Sequence, residues 1–102
     1  MTQKTQDDLG AYEIQLPDSF NIVKFNHDSE LGNHELWLVK VEVRDNFYRY
    51  RGVKLPGYER MILDIDADNH VAYSPEPLEI VRELVRILGG TKLYKDGVEV
   101  PA

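Results

Sequence analysis

A chain of 102 residues, 42% hydrophobic and 29% charged, has the size and composition of one globular domain with one core. It contains no cysteine, which excludes disulfides and thiolate metal sites and favours an intracellular setting. The net charge is −6, yet residues 40–60 hold six basic against three acidic side chains, so an acidic protein has a locally basic middle.

Residues 1–9 are polar and aperiodic and read as a flexible tail ahead of a single domain, 10–102. They hold no apolar run of secretory type, and no segment approaches the roughly 18 apolar residues of a membrane span. A cytoplasmic protein that binds no membrane is expected. Tyr12, Ile14 and Leu16 alternate with Glu13 and Gln15, which predicts a half-buried strand. Pro17-Asp18-Ser19 supplies turn chemistry, and Asn21 to Phe25 is expected to return as a second short strand. Asn26 to Asn33 reads as a polar surface loop.

His34 to Arg44 is the longest strand candidate. Alternation places Trp37, Val39, Val41 and Val43 on one face, and Leu36, Leu38, Lys40 and Glu42 on the other. Asp45-Asn46 predicts a turn and Phe47 to Val53 a returning strand. Leu55-Pro56-Gly57-Tyr58 has the pattern of a type II turn. Glu59 to Asp66 and His70 to Tyr73 then read as two strands joined at Asp68-Asn69.

A helix over about 75–88 follows from Ser74 as N-cap, Pro75 at the first position and a stripe of Leu78, Val81, Leu84, Val85 and Leu88. Gly89-Gly90 ends it. Asp96-Gly97 centres a C-terminal hairpin that pairs Lys95 with Val98 and Leu93 with Val100, with Leu93, Val98 and Val100 toward the core. The expected fold is α+β: a mainly antiparallel sheet of about five to seven strands, open or curled into a partial barrel. One helix packs on one face.

Three clusters carry candidate chemistry. Asp64, Asp66 and Asp68 alternate like the opening of a calcium loop, where oxygen ligands at every second position gather round one cation. Asn69 stands where such a loop needs glycine, and Pro75 where it needs a bidentate glutamate, so a strand and turn account for the run more simply. Phe47-Tyr48-Arg49-Tyr50-Arg51 mixes stacking and cationic groups, as single-strand binders do. Strand alternation separates Tyr48 and Tyr50 from Arg49 and Arg51. A nucleic-acid face would therefore rest on Lys40, Arg49, Arg51, Lys54 and Arg60, against the acidic remainder of the molecule. Trp37, the single tryptophan, belongs in the core by default and otherwise anchors a partner.

His27, His34 and His70 fit no metal spacing, and Ser19, Ser29 and Ser74 lie in no nucleophile elbow. No glycine-rich phosphate loop is present, and no catalytic residue or cofactor is expected. The leading expectation is a small non-enzymatic interaction or regulatory protein that binds another protein, or itself as a homodimer, through its sheet. Trp37, Tyr48, Tyr50, Arg49 and Arg51 are its expected contact residues. The apolar residues on both faces of the longest strand motivate it, because one helix covers only part of a sheet. The alternatives are a nucleic-acid-binding domain on the 40–60 segment and a divalent-cation protein or enzyme on Asp64, Asp66 and Asp68.

Overall fold

The computed structural model describes residues 11–32, 38–52 and 61–101. The elements are β1 (Tyr12–Gln15), α1 (Ile22–Glu30), β2 (Leu38–Arg44), β3 (Phe47–Gly52), β4 (Ile62–Asp66), β5 (Val71–Ser74), α2 (Leu78–Leu88), β6 (Lys92–Lys95) and β7 (Val98–Val100). All seven strands join one antiparallel sheet in the order β2-β3-β4-β5-β1-β6-β7, which stays open and does not close into a barrel. The fold class expected from the sequence is the one found. Among the described residues, no helix is long and apolar enough to cross a membrane.

Both helices lie on one face of this sheet. The inward alternates of the strands, Ile14, Tyr50, Leu63, Ile65 and Leu93, are fully buried and form a single cluster with Phe25 of α1 and Val81 and Leu84 of α2. The ring of Phe25 meets that of Tyr50 edge-on at 5.1 Å, which seats α1 over β3. The C-terminus of α2 approaches β1 so closely that a Cβ at Gly90 would lie 2.7 Å from Ile14 Cγ2.

The segment Asn21 to Phe25, expected as a strand, is instead the start of α1. Asn21 caps it: its Oδ1 accepts from the amides of Val23 and Lys24 at 2.9 and 3.1 Å. Lys24 pairs with Asp28 one turn on at 2.8 Å. Phe20, just outside the cap, meets Phe25 at 5.7 Å, a hydrophobic staple that fixes the entry of the chain. The stretch read as a polar loop is therefore helical as far as Glu30.

The second helix starts three residues later than expected. Pro75 and Pro77 each hold the preceding residue extended, so Ser74 ends β5 and Pro77, at ψ 154°, becomes the N-cap. The hydroxyl of Ser74 donates to the carbonyl of Ile62 at 2.9 Å, locking β5 to β4. Gly89, at φ 69°, closes the helix as expected.

A bulge in β2 overturns the expected facing of its valines. The register shifts between Lys40 and Glu42, so Val39 opposes Arg51 while Val43 opposes Tyr48, on opposite faces of the sheet. At the C-terminus the Asp96-Gly97 hairpin has the expected pairing. Val98 is nevertheless 67% exposed, because β7 is the sheet edge and α2 packs on β1, farther in. The expected tail 1–9, the type II turn at Leu55 to Tyr58, and Leu36, Trp37, Lys54 and Arg60 lie outside the described residues.

Candidate partner-binding face

The face opposite the helices is built from the outward alternates of the same strands. Register carries a line of cross-strand neighbours across it: Glu42, Arg49, Asp64, Tyr73, Glu13 and Tyr94. Residues directly opposite on antiparallel strands stand about 5 Å apart, so each lies within side-chain reach of the next. A second line places Arg44 beside Phe47 and Phe47 beside Asp66.

Arg49 and Asp64 form the fixed centre of the face. The guanidinium donates through Nε and Nη2 to the two carboxylate oxygens at 2.7 and 2.9 Å, a bidentate pair. The Asp64 side chain is only 9% exposed and that of Arg49 27%, so the pair is largely withdrawn from water. Beside it lies a hollow of about 580 Å³ between β2, β3, β4 and their turns. Five carboxylates line it, those of Glu42, Asp45, Asp64, Asp66 and Asp68, against the guanidiniums of Arg44 and Arg49. Phe47 stands at its wall, 39% exposed.

The three aspartates do not converge on one point. Asp64 is held by Arg49. Asp66 accepts from the backbone amides of Asp68 and Asn69 and from the Asn69 side chain, which ties down the β4–β5 turn. Asp68 accepts from Asn46 Nδ2 at 2.8 Å, which links that turn to the β2–β3 turn. Among the described residues no group of three or more acids or histidines is arranged to hold a metal ion.

The basic set is likewise divided. Arg49 and Arg51 share the open face with Phe47, as alternation predicts, but Lys40, two residues on from buried Leu38, stands on the helix side opposite Tyr50. Of the expected partner contacts, Arg49 and Arg51 stand on the open face, whereas Tyr48 and Tyr50 point to the helices. Tyr50 is fully buried, so it leaves the contact set as a correction, and its hydroxyl donates to Asn26 Oδ1 of α1. Burial first, and the neighbouring Tyr48 second, raise its pKa well above the ordinary tyrosine value.

Glu13, Tyr73 and Tyr94 were not singled out in the sequence. The outward direction of Glu13 was legible from the alternation of β1. Its two tyrosine neighbours were not, because β5, β1 and β6 become adjacent only through the sheet order. Compared with models of protein families, with curated proteins and with solved structures, the chain matches none.

Proposed function

We propose that the protein is a small non-enzymatic interaction module of the cytoplasm that binds another protein, or a second copy of itself, through the open face of its sheet. One observation supports this reading: among the described residues both helices cover the same face, and the opposite face presents a continuous cross-strand surface. Val39 and Phe47, on that surface, each leave 39% of their area exposed. Neither sheet edge is a favourable alternative. The bulge and the charges of Lys40, Glu42 and Arg44 interrupt β2, while β7 has three residues and is followed by Pro101.

The test is a face variant, Phe47→Glu, compared with a more exposed apolar control, Val23→Glu, on α1. Light scattering across a concentration series reports self-association, and cross-linking in the native cell reports another partner. The reading expects Phe47→Glu to abolish one of these associations and Val23→Glu to leave it intact. A monomer at all concentrations, with cross-links unchanged by Phe47→Glu, contradicts it.

A further inference from the structure

We infer that α1 is a flap, which lifts from the sheet in a minor state of the native protein while the sheet and α2 stay folded. This concerns the helix side and stands apart from the reading of the open face. A helix of nine residues is marginal by itself, so packing is what holds α1 in place. It buries one apolar side chain, Phe25, while Ile22 is half-buried. Val23 and the C-cap Leu31 remain 74% and 61% exposed. By contrast, α2 buries Ile80, Val81, Leu84, Val85 and Leu88.

The other buried side chain of α1 opposes docking. The hydroxyl of Ser29 is buried and finds no hydrogen-bond partner among the described residues. It gives up water on closing without a bond in return, so lifting the helix relieves it. The Asn21 cap and the Lys24–Asp28 pair lie within the segment and move with it. The chain is fixed on either side of it. Leu16 is buried, and its amide donates to the His70 carbonyl at 2.9 Å; Leu38 is fully buried at the start of β2. A short segment between two anchors, with little apolar burial and one unmet hydroxyl, belongs to the low-stability end of a fold. Lifting it takes Phe25 off the ring of Tyr50 and breaks the bond from the Tyr50 hydroxyl to Asn26, so Tyr50 gains access to solvent.

The experiment is native-state hydrogen exchange of the full chain, followed by NMR at several low urea concentrations. So short a helix unwinds once lifted, and its amides then exchange. After correction for intrinsic rates, the amides of Phe25 to Ser29 should exchange at least roughly tenfold faster than those of Leu84 to Leu88. Their rates should depend only weakly on urea, because a local opening exposes little surface. Ser29→Ala removes the buried hydroxyl and should slow α1 exchange roughly tenfold. His27→Ala, at an exposed site of similar helix propensity, gains from propensity alone and should slow it only about twofold. Equal protection of the two helices with the same urea dependence means that α1 leaves only when the whole chain unfolds, and overturns the inference. A Ser29→Ala effect no larger than that of His27→Ala also overturns it, since the buried hydroxyl would then carry no docking penalty.

Discussion

Removing one member of the Arg49–Asp64 pair should cost far more than removing both. The pair spans β3 and β4 at the centre of the open face with two charge-assisted hydrogen bonds. Arg49→Met leaves the Asp64 carboxylate, 9% exposed, without its bidentate donor. An uncompensated charge at such a site destabilises by about 3 kcal/mol, the lower end of the range for fully buried pairs because Arg49 keeps some contact with water. Asp64→Leu strands a guanidinium that can turn toward solvent, and should cost about 2 kcal/mol. The double variant Arg49→Met/Asp64→Leu replaces the pair with apolar groups between Phe47, Ile62 and Tyr73, and should lie within about 1 kcal/mol of wild type. The coupling in the cycle is then about 4 kcal/mol, read from urea unfolding followed by fluorescence. Additive single effects, or an Arg49→Met cost below about 0.5 kcal/mol, would refute the view that this pair holds the centre of the face.

Three other outcomes follow from the fold. Gly90→Ala places a methyl 2.7 Å from Ile14 Cγ2 and 3.2 Å from Val85 Cγ1, so it should destabilise by about 1–3 kcal/mol in thermal unfolding, whereas the lower freedom of alanine in the unfolded chain would alone favour the variant. Asn21→Ala removes the cap of α1 and should cost about 1 kcal/mol, with Asn21→Ser recovering most of it. The unfolded chain ionises Tyr50 near pH 10, while burial keeps the folded hydroxyl protonated to higher pH. The unfolded state then binds fewer protons, so stability falls as pH rises above about 10, by up to about 1.4 kcal/mol per pH unit. Tyr50→Phe should flatten that slope in urea titrations on either side of that pH, and an unchanged slope would show the hydroxyl to be freely ionisable.

How much of this was legible in the sequence depended on whether the signal was local. The Asp96-Gly97 hairpin and the stripe of α2 are local patterns, and both formed with the expected register, although Val98 at the sheet edge lies exposed and not in the core. Pro77 is equally local: it holds Glu76 extended and so moves the helix start from 75 to Leu78. Helix α1 was missed because its buried line is thin. Phe25 and Ser29 are buried while Val23 is exposed, so Ile22 to Phe25 reads equally well as a strand. Asn21 with the Lys24/Asp28 spacing was the available signal. The β2 bulge has no local signature in Leu38 to Arg44, since an unbroken alternation runs through it. On the open face, alternation placed Arg49 and Arg51 with Phe47. That Arg49 meets Asp64, and Glu13 meets Tyr73 and Tyr94, depends on which strands become neighbours.

Hydroxyl-radical footprinting of the monomeric protein tests most directly whether the sheet is one-sided. Phe47, Tyr73 and Tyr94 should be oxidised readily while Phe25 and Tyr50 are spared, and a bound partner should suppress labelling of the first three. Protection of Phe47, Tyr73 and Tyr94 in the free monomer would mean that the chain shields this face itself, and the surface would then be closed to any partner.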